Sequence, residues 1–206
     1  MQDVNEGRIA QKARTRTLLL RSAADLIQQG RRPTIEEAAE AVGISKRTAY
    51  RYFVSQDHML ADAALESIRP EFQKLLEGPR ALAAPSQRLE CLIRAMNGLV
   101  PVYENELRVI VRAALDRSSD EAAASGRPRG QRRVDWVAEA IAPLKFELPP
   151  DLYERLTAAL AATVGFDVYI LLRDIAQLAP DTIDDTMVWM GLTLLQATEK
   201  EAAERL

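Results

Sequence analysis

An all-α fold is predicted for these 206 residues by two observations. Apolar residues recur at helical spacing along most of the chain, punctuated by Pro and Gly, with no strand alternation of note. Within this pattern, Thr34 to Phe53 (TIEEAAEAVGISKRTAYRYF) reads as two short helices joined by a tight turn at Gly43. The expected organisation is an N-terminal three-helix domain over residues 8–60, with a helix-turn-helix at 34–53, and a larger helical domain over 61–206.

Each N-terminal element has a local reason. Arg14 to Gln29 carries Leu19, Ala23, Leu26 and Ile27 at helical spacing and stops at Gly30, so it can pack behind the hairpin. Thr34 and Glu37 form a capping box for the next helix, which aligns Ile35, Ala38, Ala39 and Val42 on one face. Gly43 stands where a left-handed residue ends that helix, and Ser45 can cap its successor. The successor turns Ala49 and Phe53 inward and leaves Lys46, Arg47, Tyr50 and Arg51 outward, with no acid on that face. Lys and Arg suit phosphates and guanine edges, and Tyr can donate to a backbone oxygen, so the face is suited to a DNA groove. A solvated basic face on an ordinary helical hairpin would show the same residues. Ser55 then opens a long fourth helix with Asp57 in its first turn.

The first sixty or so residues resemble the DNA-binding domain of the tetracycline-repressor (TetR/AcrR) family. The matching positions are Thr34, Ala39, Gly43, Ile44, Ser45, Tyr50, Phe53, Ser55 and Leu60. Two positions depart from the family pattern: Arg47, where many members have Gly or Pro, and Gln56, where Lys is usual. Gln can still donate to phosphate, without the strength of a charged donor. The resemblance implies a ligand-responsive dimeric regulator, a repressor released from a palindromic double-stranded DNA operator by a small-molecule effector of unknown identity. The expected DNA-binding residues are Lys46, Arg47 and Arg51 toward bases, and Thr34, Thr48, Tyr50, Tyr52 and Gln56 toward phosphates, with Ser45 at the cap between them.

Charge agrees with a local site. The chain has net charge −3, yet residues 1–60 hold ten bases and seven acids, so this end is positive while the rest is negative. No run of about eighteen uncharged apolar residues appears and the N-terminus has no apolar signal region, which points to a cytoplasmic protein without membrane spans. Cys91 and His58 are the only cysteine and histidine, so neither an intrachain disulfide nor a Cys/His metal site is expected. With no Gly-rich phosphate loop and no nucleophile motif, neither catalysis nor a cofactor is assigned.

Further along, the fourth helix is expected to reach about Leu76, kinked or stopped early by Pro70. Helices are expected over Ser86 to Tyr103, bent near Pro101, over Leu107 to Arg117, and over Arg132 to Ala142. The stretch SSDEAAASGRPRGQRR reads as a flexible connection and Pro149-Pro150 as a break. The last two helices, Asp151 to Ile175 and Thr182 to Arg205, are the most apolar. Ala158, Ala159, Ala161, Ala162 and Gly165 permit close approach on the first, and the second carries a stripe of Ile183, Met187, Met190, Gly191, Leu194 and Leu195. The resemblance makes these helices the homodimer interface. It also implies an effector pocket, for which Met96, Tyr103, Arg112, Trp136, Phe166, Asp167, Tyr169 and Arg173 are candidates. Ordinary core is the alternative for the aromatics, and an ion pair the alternative for Asp167 and Arg173. Two other functions stay open: a DNA-binding regulator controlled by a protein partner without a small-molecule ligand, and a helical enzyme or adaptor with an incidental hairpin.

Overall fold

The computed structural model describes residues 2–53, 55–116 and 131–205, and every regular element among them is helical. The fold is all-α. The expected flexible connection falls largely on residues 117–130 and so lies outside the described residues. The described chain divides into two compact units: residues up to 70 together with 103–116, and 71–102 together with 131–205.

The first unit begins with α1 (Gln2–Gln28), α2 (Ile35–Glu40) and α3 (Lys46–Ala49). The helix α4 (Gln56–Lys74) runs through Pro70 and ends two residues short of Leu76, while α7 (Val100–Asp116) supplies its C-terminal part from Tyr103 onward. At Tyr103 the backbone leaves the helical region, with φ −120° and ψ 27°. The core is unusually rich in alanine: Ala23, Ala24, Ala38, Ala39, Ala49, Ala63 and Ala64 are buried with Leu19, Ile27, Ile35, Phe53 and Met59. Small side chains let the helices approach closely, and the few large ones fill the remaining space.

The joints of this unit are made by the backbone. After α1, the Gly30 amide donates to Ile27 O and the Arg31 amide to Leu26 O; after α2, the Gly43 amide donates to Glu40 O and the Ile44 amide to Ala39 O. This is the Schellman arrangement, and it needs a left-handed residue at each glycine. Gly30 and Gly43 supply φ of 76° and 68°. The Ser22 hydroxyl donates to Ala38 O at 2.9 Å, which satisfies a carbonyl at the end of α2. Arg16 lies 5.7 Å from the Phe53 ring centroid and 2.6 Å from Asp62, joining α1 to α4 above the buried phenyl ring.

The second unit contains α5 (Glu77–Arg80), α6 (Pro85–Asn97), α8 (Gln131–Ala140), a 3-10 turn at Ala142–Phe146, α9 (Pro150–Thr163), α10 (Phe166–Asp174) and α11 (Pro180–Glu204). Pro85, Pro150 and Pro180 each open a helix, where a missing N–H costs nothing. The long α11 packs on α6, α9 and α10, and α6 also meets α5 and α8. The buried Asn97 donates to Asp184 at 2.8 Å, fixing the end of α6 to the start of α11.

One expected helix is two. The segment Asp151 to Ile175 breaks at Val164 and Gly165, and α9 and α10 meet at 46°. Val164 is extended, with φ −113° and ψ 104°, a conformation favoured by its branched side chain. Arg133 of α8 secures the break: it donates to Ala161 O at 3.0 Å, a carbonyl at the end of α9, and lies 2.8 Å from the Asp167 carboxylate in the first turn of α10. A β-carbon at position 165 would lie 2.5 Å from Arg133 Cζ, so glycine keeps room for the guanidinium. No single described helix is long and apolar enough to cross a membrane.

A second glycine sets the spacing of α11 against α6. A β-carbon at Gly191 would meet Ile93 Cδ1 at 2.9 Å and Leu89 Cδ2 at 3.5 Å, and Ile93 and Leu89 are fully buried. Gly191→Ala should therefore destabilise the protein by about 1–3 kcal/mol, read as a lower urea midpoint. An unchanged or higher midpoint would mean that α11 can shift outward freely.

Candidate nucleic-acid interface

The helix-turn-helix is built largely as its residues dictate. Thr34 caps α2 with its hydroxyl accepting from the Glu37 amide at 3.1 Å, while Glu37 Oε2 accepts from the Thr34 amide at 2.7 Å. Both halves of the capping box are thus present. Arg31 holds the other Glu37 oxygen at 2.7 Å, and these bonds, the Thr34 amide first, keep the Glu37 carboxyl below the usual carboxylate range. Ser45 caps α3 by accepting from the Thr48 amide at 3.3 Å, and the two hydroxyls lie 2.9 Å apart. Ser55 similarly caps α4, accepting from the His58 amide at 3.2 Å.

The second helix of the motif is shorter than expected. Regular α-helix closes at Ala49, and the Arg51 and Tyr52 amides then donate to Thr48 O and Ala49 O in tighter i to i+3 bonds. The sequence TAYRYF has weak helix formers, and Phe53 is drawn into the core at 1% exposure. Ala49 is fully buried, so the inward pair is as the spacing predicts.

The outward row is Ser45, Lys46, Arg47, Tyr50 and Arg51, all exposed. Thr34, Thr48 and Gln56 are half-buried, and Tyr52 packs partly against the core. Among the described residues neither Arg47 nor Arg51 has an ion-pair partner, whereas Arg16, Arg31 and Arg32 of the same unit hold Asp62, Glu37 and Asp57. Exposed cations without carboxylates are available to an external anion.

An acid does reach this face, although none lies on α3 itself. Glu36 of α2 accepts a hydrogen bond from the Tyr50 hydroxyl at 2.7 Å. The bond holds the Glu36 carboxyl below the usual range and raises the Tyr50 phenol above its own. Glu36 and Tyr50 are fourteen residues apart, and their meeting depends on the angle between two helices. Sequence spacing carries no signal of it.

Among solved structures the chain is similar to a TetR-family transcriptional regulator from Bordetella parapertussis, with a TM-score of 0.53 and 18% identity over 85% of this chain and 92% of that one. The fold is that of a TetR-family regulator. No family model matches the chain, and no curated protein matches its sequence.

On this TetR-type fold the candidate effector residues are divided between the two units. Tyr103 and Arg112 belong to the first unit, where the exposed Arg112 sits 3.7 Å from Asp116 on the rim of a surface groove of about 190 Å³. Met96, Trp136, Phe166, Asp167, Tyr169 and Arg173 belong to the second. There Phe72 stacks on Phe166 with centroids at 5.8 Å and meets Trp136 edge-on at 5.1 Å, and Met96 and Tyr169 are buried. Within the chain Asp167 pairs with Arg133 and Arg173 with Asp174, so the alternative of an internal pair between Asp167 and Arg173 is not what forms. At i and i+6 those two side chains lie on different faces of α10, and each has a nearer partner.

The capping box fixes the N-terminus of α2, which in turn positions Glu36 and the turn at Gly43. Thr34→Ala should cost about 1 kcal/mol of stability, within the range of lost N-caps of about 0.5–2 kcal/mol. Chemical unfolding of the full chain measures it. A loss below a few tenths would show that the Arg31 contact alone holds Glu37.

Proposed function

We propose that the chain is a DNA-binding transcriptional regulator, with residues 8–60 as its DNA-binding part and 61–206 as its regulatory and dimerisation part. It acts as a homodimer on a palindromic operator and as a repressor released by a small molecule. The observation that carries the DNA reading is a pair of exposed, carboxylate-free guanidinium groups, Arg47 on a helix capped at Ser45 and Arg51 in the turn that follows it. In this reading Lys46, Arg47 and Arg51 meet base edges, and Thr34, Ser45, Thr48, Tyr50, Tyr52 and Gln56 meet the backbone. Arg47→Ala should cost about 1–3 kcal/mol on the operator and relax preference at one base position. An equal loss on random DNA would reassign Arg47 to a phosphate.

Exposed apolar groups on the last two helices support the homodimer. Leu171, Ile175 and Trp189 are 51%, 75% and 66% exposed. Much of the stripe expected to join two subunits, namely Ile183, Met187, Gly191 and Leu195, is buried within its own unit, with Met190 and Leu194 half-buried. A partner subunit would therefore cover the neighbouring face around Trp189. Two heads held by such a seam would read two half-sites together. Trp189→Glu should shift the chain from dimer to monomer at micromolar concentration in sedimentation. A wild-type monomer, or a variant that sediments as the wild type, contradicts this seam.

For control, the small-molecule reading rests on the fold and on the aromatic and charged groups of the second unit. One observation favours control by a protein partner instead: the rings of Trp136 and Phe166 both pack on Phe72. Phe146, 92% exposed at the end of the 3-10 turn, offers such a partner an apolar contact.

A further inference from the structure

A tyrosine has one proton to donate, and Tyr50 gives it to Glu36 at 2.7 Å. Because the acceptor is a carboxylate, this bond is stronger than one between neutral groups. Glu36 is comfortable there, since it sits in the first turn of α2, where the helix dipole favours negative charge. Lys46 is the cation whose charge acts on it. Tyr50 is 52% exposed, so the phenol oxygen is open to a ligand from outside.

A phosphate arriving at this oxygen meets its lone pairs unless the proton turns away from Glu36. The phosphate contact is then an exchange of one anionic acceptor for another, with little net gain. When the proton has turned, the Glu36 carboxylate is left on a surface that faces a polyanion. Both effects weaken backbone binding, and neither depends on base sequence.

We propose that Glu36 is a positioning residue of the DNA interface, which competes with the backbone phosphate for the Tyr50 hydroxyl and so limits affinity for DNA of any sequence. The inference rests on the DNA-binding reading above. Its function would be to leave discrimination to Arg47 and Arg51 by keeping the non-specific part of the affinity low.

The test uses the full chain and a duplex of scrambled sequence, because the effect is independent of the operator. Glu36→Gln should bind roughly threefold to tenfold more tightly at low salt, with a salt dependence steeper by up to about one unit of slope. In a Tyr50→Phe background the gain from Glu36→Gln should shrink, since no hydroxyl remains to be released. Thermal unfolding of each variant checks that α2 and α3 remain folded. An equal gain in both backgrounds would reduce Glu36 to a plain repulsive charge and overturn the proposal, as would no gain or weaker binding. Binding of the wild-type chain to the same duplex separates the two readings. If it does not bind even at low salt, the DNA-binding reading fails; if it binds while Glu36→Gln changes nothing, only the role of Glu36 fails.

Discussion

A four-residue helix cannot hold its own shape, because one or two backbone hydrogen bonds do not offset the entropy of fixing its first turn. The geometry of α3 is therefore borrowed. Ala49 and Phe53 are buried in the alanine-rich core they share with α1, α2 and α4, and the Gly43 turn with the Ser45 cap sets where the helix begins. The outward direction of Arg47 and Arg51 follows from those inward anchors. A loosened core would move the cationic row even if no cation were touched.

The second unit solves a different problem, which is how to bend a nearly continuous apolar segment. Two extended residues end α9, and Arg133 compensates at the break by bonding a carbonyl on one side and a carboxylate on the other. A guanidinium suits this place because its planar fork has several donors in fixed directions. The bend turns α10 so that Phe166 stacks on Phe72, which in turn meets Trp136. Leu171 and Ile175, toward its other end, remain exposed.

Much of the first unit was legible in the sequence because its determinants are local. Capping boxes, cap serines and left-handed glycines act within three to five residues, and the structure places Thr34, Glu37, Gly43 and Ser45 in the roles their spacing predicts. The exposure of Lys46, Arg47, Tyr50 and Arg51 follows from one helical period. What escaped depends on tertiary geometry. The break at Val164 is stabilised by Arg133 of α8, far from it in sequence, and the burial of the α11 stripe depends on where α6 lies. Large or polar character within an apolar helix says nothing of which unit a residue joins, and Tyr103 and Arg112 belong to the first.

The charges of the first unit show how a chain of net negative charge can still present a site for a polyanion. Exposed ion pairs contribute little to stability, on the order of 0–1 kcal/mol each, so Arg16, Arg31 and Arg32 are better understood by where their charge goes. Each is neutralised locally by an acid, at 2.6, 2.7 and 2.5 Å. Screening confines the influence of surface charges to about 8–10 Å at moderate ionic strength. What lies near the outward row therefore matters more than the total for the chain. The row itself carries Lys46, Arg47 and Arg51, and the acid that reaches it, Glu36, is bound to the one phenol in the row. If this row meets DNA as proposed, its attraction would come from groups that can also read bases, and little from a general positive field. On the DNA-binding reading proposed above, placing the acid on Tyr50 rather than on an arginine would weaken the sequence-blind contact and leave the sequence-reading ones intact.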